Sequence, residues 1–164
     1  MNGKLRNMAG LYLRHGNQLL LLYRIGSRVI ADSYTASAGG HFEKEELSDA
    51  KACALRELYE ETGLTEQDID NLSLRYVTIR LKNGELRQNY YFFADLIDNM
   101  KEITSNEGNL KWFQMEELLE NPPDMPFTAR YVVKHYAEIG KDTNVIYAGI
   151  ATEDGVVFTE MEEF

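Results

Sequence analysis

Cysteine is almost absent from this chain, since Cys53 is the only one among 164 residues. A single cysteine cannot form a disulfide within the chain, which excludes the disulfide-stapled class of small secreted domains and favours a reducing, cytoplasmic compartment. No neighbour in the sequence is suited to activate this thiol, so we expect Cys53 to be a small buried residue and not a nucleophile.

Long apolar stretches are also missing. The longest, residues 19–23, is far too short to cross a bilayer, and the first residues do not resemble a signal peptide. Basic residues are in the minority, with 17 Lys and Arg against 27 Asp and Glu, so the formal net charge is −10. This balance argues against binding a nucleic-acid polymer or an anionic membrane, but it is compatible with a small phosphate ligand if a metal supplies positive charge.

Strand-like segments and two longer helical segments make up most of the chain. We expect one domain over residues 1–164, with a core of about 5–140 and a hairpin extension at about 144–160. Ser48 is the predicted N-cap of a helix that runs to about Thr62, and a second helix is predicted over 127–138. The fold class is therefore α+β, with helices packed on a mixed sheet. The predicted strands are residues 5–14, 18–24, 34–38, 72–81, 85–96, 110–114, 145–151 and 156–160.

The first of these helices has a crowded acidic face. Glu57, Glu60 and Glu61 stand at i, i+3 and i+4, so a helix places them on one side. Three like charges there destabilise the helix unless a cation lies between them. Mg²⁺ is a natural candidate, because proteins hold it through carboxylate oxygens and water.

A longer pattern surrounds this face. It consists of Gly40, five residues, Glu46, nine residues, and Arg56-Glu57-Leu58-x-Glu60-Glu61-x-Gly63-Leu64. The pattern resembles the Nudix box, the signature of hydrolases that cleave a nucleoside diphosphate linked to another group. Members of the family usually have seven residues where residues 47–55 make nine here, so Glu43 and Glu45 stay alternatives to Glu46.

The resemblance implies a Nudix-type α/β/α sandwich, in which a mixed β-sheet carries the box helix on one of its faces. The C-terminal β-hairpin is an addition to this fold. It also implies a bound Mg²⁺, with Mn²⁺ as an alternative. The implied metal ligands are the side chains of Glu57, Glu60 and Glu61 and the main-chain carbonyl of Gly40. Arg56, one turn before Glu60, is implied to orient the glutamates.

The general base is not settled by the resemblance, because the family uses a box glutamate in some members and a glutamate of a later loop in others. Glu107 is the best later candidate, since it precedes Gly108 and Trp112 in the order usual for the family. Glu102 is the second candidate. The predicted catalytic residues are Arg56, Glu57, Glu60, Glu61 and Glu107.

Residues that select the substrate are harder to predict. Arg24, Arg80 and Arg87 are candidates for contacts with phosphate or base, although each also fits an ordinary surface arginine. Trp112 is a candidate for the base pocket, with a core position as the competing interpretation. Asp124, Met125 and Phe127 lie where the resemblance places base discrimination in hydrolases of oxidised purine nucleotides.

Three hypotheses about function follow. The leading one is a MutT-like nucleoside triphosphate pyrophosphohydrolase, with oxidised purine nucleotides as candidate substrates. The second keeps the mechanism and changes the substrate to ADP-ribose, a nucleotide sugar or a dinucleoside polyphosphate. The third belongs to another functional class: a non-catalytic regulatory Nudix module that binds a nucleotide without turnover. We also expect the final hairpin either to cover a sheet edge or to pair with a second copy in a homodimer.

Overall fold

The computed structural model describes residues 3–25, 32–97 and 102–163. Within these ranges the α-helices are α1 (Ala50–Thr62), α2 (Met115–Glu120) and α3 (Phe127–Glu138). The strands are β1 (Lys4–His15), β2 (Gln18–Arg24), β3 (Ser33–Thr35), β4 (Ala38–His41), β5 (Ile69–Lys82), β6 (Glu85–Leu96), β7 (Gly108–Gln114), β8 (Ile146–Ala151) and β9 (Val156–Met161). Short 3-10 helices occupy Lys44–Glu46, Glu66–Asp68 and Gly140–Asp142.

The strands form one mixed sheet in the order β3-β2-β1-β6-β5-β8-β9, with β4 paired to β1 and β7 paired to β2. Two pairs are parallel, β1 with β6 and β5 with β8, whereas the other pairs are antiparallel. The first part of β1 pairs with β4, and its last residues form a hairpin with β2. The mixed-sheet α+β fold is confirmed.

Helices cover both faces of this sheet. The consecutive aromatic residues of β6 alternate between the faces, as a strand requires. Tyr91 and Phe93 pack in the core cluster that includes the buried side of α3, and the Phe93 ring stacks on Tyr136 with centroids 3.6 Å apart. Phe92 packs in the other cluster, with buried residues of α1. The molecule is therefore an α/β/α sandwich.

Helix α1 begins later than predicted. Asp49, not Ser48, is the N-cap, and its carboxylate accepts a hydrogen bond of 3.0 Å from the Ala52 N–H. Both residue types can cap a helix, but the Asp49 N–H is bonded to the Glu46 carbonyl, which places the helix start one residue further along. The predicted end is confirmed, since Gly63 adopts the left-handed conformation with φ of 74°.

Both later hairpins form where the turn residues predict them. Asn83 and Gly84 have positive φ values of 54° and 73°, the combination that a type I′ turn between β5 and β6 requires. The final hairpin joins the sheet through β8, which covers the edge of β5 and leaves β9 as the new edge. None of the helices in the described part of the chain has the length and apolar character needed to cross a membrane.

Candidate active site

Arg56 lies at the centre of the acidic site. Its Nε and Nη2 atoms donate to the two carboxylate oxygens of Glu46 over 2.6 and 3.0 Å, a bidentate pair. Its Nη1 donates to Glu57 and to Glu60, each over 2.9 Å. Its Nη2 also donates to the main-chain carbonyl of His41 over 3.0 Å. One guanidinium therefore holds three carboxylates and the end of β4 in a fixed arrangement.

Glu46 is the glutamate of the first half of the pattern that reaches this centre. It is buried, and the hydrogen bonds from Arg56 hold its pKa at about 2. Glu43 instead contributes its backbone N–H, which donates to a Glu46 oxygen over 2.9 Å, while Glu45 is exposed. Residues 47–49 form an exposed turn before α1, so the nine-residue spacing leaves the helical positions of the other glutamates unchanged.

Glycines bring the backbone of β4 close to its neighbours. A Cβ atom at Gly40 would collide with the carboxylate of Glu57, so this position admits no side chain while that carboxylate keeps its place. A Cβ at Gly39 would lie 2.6 Å from the carbonyl oxygen of Ala9 on β1. The half-buried Glu57 has a raised pKa, because burial outweighs the hydrogen bond from Arg56.

Glu61 is the most buried glutamate of α1, with 8% of the residue exposed. It accepts a hydrogen bond of 3.2 Å from the Gly39 N–H. Burial raises the pKa of Glu61 to about 7, and the charges of Glu57 and Glu107 act in the same direction, whereas Arg24 opposes them. A desolvated carboxylate beside other carboxylates is a group that a bound cation would stabilise.

The loop before β7 is attached to the end of α1. Asn106 donates from its side-chain amide to the Glu60 carbonyl over 2.9 Å and from its backbone N–H to the Glu61 carbonyl over 3.1 Å. These carbonyls belong to the last turn of the helix, where no helical partner is available. The next residue, Glu107, forms an ion pair with Arg24. Asn106 thus positions Glu107 near Glu61. The sequence did not predict this role of Asn106, for which the Asn-Glu-Gly turn was the only signal.

The predicted metal ligands present the right kind of atoms. Carboxylate oxygens of Glu57, Glu60 and Glu61 and the Gly40 carbonyl are hard donors, which suit Mg²⁺ or Mn²⁺ better than softer ions. Among the described residues, no group of three His, Cys, Asp or Glu is already arranged around a common metal position. Arg56 instead serves as the cation for two of these glutamates. The donor chemistry and the desolvated Glu61 fit a hard divalent cation.

A cavity of about 500 Å³ adjoins Glu61. Its walls include six of the residues predicted from the sequence to contact the substrate, namely Arg24, Arg80, Arg87, Asp124, Met125 and Phe127. Tyr12 also lines it, and the buried hydroxyl of this residue has no hydrogen-bond partner in the described part of the chain. The cavity is therefore continuous with the acidic site and has both charged and apolar walls.

Of the residues predicted to contact the substrate, Trp112 is not brought to this cavity. Trp112 packs against the α1-side core cluster, with its ring centroid 6.2 Å from that of His15, because the alternation of β7 directs it away from the cavity. The two candidate bases of the later loop, Glu102 and Glu107, are both exposed and do not line the cavity, although Arg24, the partner of Glu107, does. Conversely, sequence reasoning missed Arg6 and Lys82, which do line it and which only the pairing of distant strands brings there.

Comparisons with known proteins agree with this fold. The model of the NUDIX domain matches residues 4–136. The MutT protein of Bacillus halodurans is 22% identical, with 94% of this chain and 97% of that chain covered and a TM-score of 0.60. The MutT protein of Methanosarcina mazei Go1 is 19% identical (87% and 99% covered, TM-score 0.62). A Caenorhabditis elegans Ap4A hydrolase in a binary complex is 21% identical (83% and 90% covered, TM-score 0.55). A search of curated proteins returned no significant match.

Proposed function

The chain belongs to the Nudix family of pyrophosphohydrolases, and from this membership we propose that it hydrolyses the diphosphate linkage of a nucleoside triphosphate with Mg²⁺, or alternatively Mn²⁺. The single observation that carries the proposal is the position of Glu61 in the wall of a cavity that Arg24 and Arg80 also line, on the same helix as the glutamates held by Arg56. This arrangement supports a ligand with phosphates at the glutamates and a base or ribose in the cavity.

Hydrolysis forms a bond between a water oxygen and one phosphorus, and it breaks the bond from that phosphorus to the bridging oxygen. The bridging oxygen leaves with the electron pair as part of a phosphate, and a base takes a proton from the water. A divalent cation, when bound, neutralises phosphate charge and lowers the pKa of water. Glu57, Glu60, Glu61 and the Gly40 carbonyl would hold this ion, and Arg56 would keep the glutamates in register.

We propose Glu107 as the base. In the structure its carboxylate is paired with Arg24 at the cavity wall. A substrate phosphate that binds Arg24 competes for the same guanidinium, which frees the Glu107 carboxylate to accept a proton from the attacking water. A box glutamate is the alternative, and Glu61 is the candidate among them because the charge of Glu107 helps to raise its pKa.

The substrate is proposed at two levels. A small nucleotide is the class on which Nudix hydrolases act, and a nucleoside triphosphate, including oxidised purine forms, is our specific choice because Asp124, Met125 and Phe127 line the cavity. ADP-ribose, nucleotide sugars and dinucleoside polyphosphates are the alternatives. The likeness to the Ap4A hydrolase supports keeping the last of these in any assay.

The test is a nucleotide panel with Mg²⁺, with the products resolved by chromatography. We expect cleavage of triphosphates, abolished when Glu60 and Glu61 are both replaced by Gln. Wild-type rates in that double variant would refute the assigned site. Tight nucleotide binding by calorimetry, with no product after long incubation, would instead favour the regulatory module.

We further propose a homodimer that uses the β8–β9 hairpin. Ile150 and Val157 are opposite each other on these strands and are 53% and 67% exposed, and β9 is an edge strand. A monomeric mass by light scattering at high micromolar concentration would contradict this. The single-domain boundary over residues 1–164 and the cytoplasmic location stay predictions from the sequence.

A further inference from the structure

Three arginines lie side by side on three adjacent strands. Arg6 on β1 is the register partner of Arg87 on β6, and Arg87 is the register partner of Arg80 on β5. Partners directly opposite on neighbouring strands project to the same face, and adjacent strands are about 4.8 Å apart. All three residues line the cavity next to Glu61. We call Arg6, Arg87 and Arg80 the arginine row.

The charge of this row is only partly compensated. Arg87 pairs with Glu85 over 2.8 Å. Within the described ranges, no carboxylate lies within ion-pair distance of Arg6 or Arg80, and Arg6 donates instead to the ring of His41 over 2.7 Å. Like charges directly opposite on adjacent strands destabilise a sheet. The row therefore costs folding free energy in a chain whose net charge is −10 and which has ample acidic residues to pair it.

Arg80 is held in place by an aromatic ring. Its Cζ lies 4.8 Å from the centroid of Phe127, at the start of α3. A guanidinium stacked in this way keeps its N–H groups free at the edge of its plane, so it can still bind an anion. Lys82, two residues along the same strand, faces the same side and also lines the cavity. Its ammonium adds to the positive charge at this end.

The row lies away from the acidic site. Glu61 accepts a hydrogen bond from Gly39, and Gly39 is the register partner of Gly10 on β1. Arg6 precedes Gly10 by four residues on that strand, which corresponds to about 13 Å between the two backbone positions. Glu61 and the arginine row therefore lie at separate positions along the same cavity.

We propose that the arginine row binds an additional phosphate of the substrate, separate from the diphosphate that is cleaved at the glutamates. The identity of the cleaved end rests on the proposed function above. Guanidinium groups present forked N–H donors that match phosphate oxygens, and charge-assisted bonds of this kind are the strong ones. A neutral base in the same place would leave the charges of Arg6 and Arg80 uncompensated. The additional phosphate is either the end of a longer 5′-polyphosphate or a group on the 3′ position of the ribose.

The test is calorimetry in EDTA, where no metal supports turnover. One pair of probes is ADP and adenosine 3′-phosphate 5′-diphosphate, and the other is ATP and adenosine 5′-tetraphosphate. In one of these pairs, we expect the wild-type protein to bind the nucleotide with the additional phosphate about tenfold more tightly than the nucleotide without it. The pair that shows this gain identifies where the additional phosphate sits.

Variants decide whether the arginine row causes the gain. Arg80→Gln and Arg87→Gln should each remove most of it, whereas Lys134→Gln, a matched loss of one charge at an exposed position of α3 outside the cavity, should keep it. Arg80→Lys retains the charge without the fork and should restore part of the gain, and Arg6→Gln serves if Arg80→Gln does not fold. Equal binding within both pairs by the wild type, or a gain that survives in the arginine variants, overturns the proposal.

The same proteins are then assayed for hydrolysis with Mg²⁺, which separates this inference from the proposed function. Hydrolysis without any gain from the additional phosphate would leave the proposed function standing and remove the role of the row. A gain in affinity that depends on the arginine row, without hydrolysis of any probe, would support the role of the row and contradict the proposed function.

Discussion

Arg56 binds Glu46 through two hydrogen bonds that connect the middle of α1 to the 3-10 helix before it. The pair is largely shielded from water, with 21% of the Arg56 side chain and 9% of the Glu46 side chain exposed. The pKa of Glu46 is lowered and that of Arg56 is raised, as expected when each charge stabilises the other. Glu46 is thus the support on which Arg56 holds the remaining glutamates.

Replacement of Glu46 by Gln should lower both stability and activity. Arg56 would lose its bidentate partner while still largely buried, and we expect a loss of about 2 kcal/mol, between the values typical of exposed and buried pairs. Urea unfolding measures this. Glu45→Gln is the matched control, because Glu45 is exposed and adjacent, and an equal loss in that variant would contradict the assignment.

Mg²⁺ should raise the melting temperature of the wild-type protein, because an ion that binds only the folded state stabilises it. The gain is about 2.7 kcal/mol at roughly a hundredfold excess over the Kd. Glu57→Gln and Glu61→Gln should each remove most of this gain, whereas Glu138→Gln, an exposed change on α3, should not. A full Mg²⁺ response in Glu61→Gln would show that the ion binds elsewhere.

Replacement of Gly40 by Ala should disturb the site directly. The new methyl group would push the Glu57 carboxylate out of place, at a cost of about 1–3 kcal/mol in stability and with loss of the Mg²⁺ response. Gly63→Ala is an informative comparison, because nothing lies within 4 Å of its added Cβ and only its φ of 74° is strained. That variant should lose about 1 kcal/mol and keep the Mg²⁺ response.

The assignment of the base predicts that Glu107→Gln lowers kcat by about 10²–10⁴-fold. Metal binding should persist in this variant, since Glu107 is not among the proposed ligands, so the rise in melting temperature with Mg²⁺ is the internal control. Glu102→Gln should leave kcat unchanged. If the two variants behave in the opposite way, the base is Glu102, and if neither affects kcat, a glutamate of α1 takes the role.

Stability should fall at acid pH through Asp95, as it should through Glu46, because the pKa of each carboxyl is lowered in the folded state. Arg14 donates to the two carboxylate oxygens of Asp95 over 2.5 and 3.0 Å and lowers its pKa. A pKa that is lower in the folded state contributes stability above the unfolded value of about 3.9, and this contribution is lost as pH falls through the folded value. The difference in unfolding free energy between wild type and Asp95→Asn should therefore be largest near neutral pH and shrink below about pH 4. A difference that is constant with pH would exclude this linkage.

Local patterns in the chain determined much of this molecule. The spacing of Arg56, Glu57, Glu60 and Glu61 places these residues on one helix face, however the helix packs. Gly63 ends the helix because glycine adopts the left-handed backbone conformation without steric cost. The Asn83-Gly84 turn and the alternation of β6 likewise depend on neighbours in sequence alone. These features are short-range, so the sequence is sufficient to predict them.

The tertiary structure decided which of several equivalent residues takes each role. Glu43, Glu45 and Glu46 are alike in sequence, and only the fold brings Glu46 to Arg56. The alternation of side chains along β7 was predictable from the sequence. Which face of the sheet would carry the cavity, and therefore whether Trp112 would line it, was not. The arginine row joins residues 6, 80 and 87 through the register of three strands, one pair of them parallel. Register between distant strands depends on pairing along the whole sheet, and no local pattern specifies it.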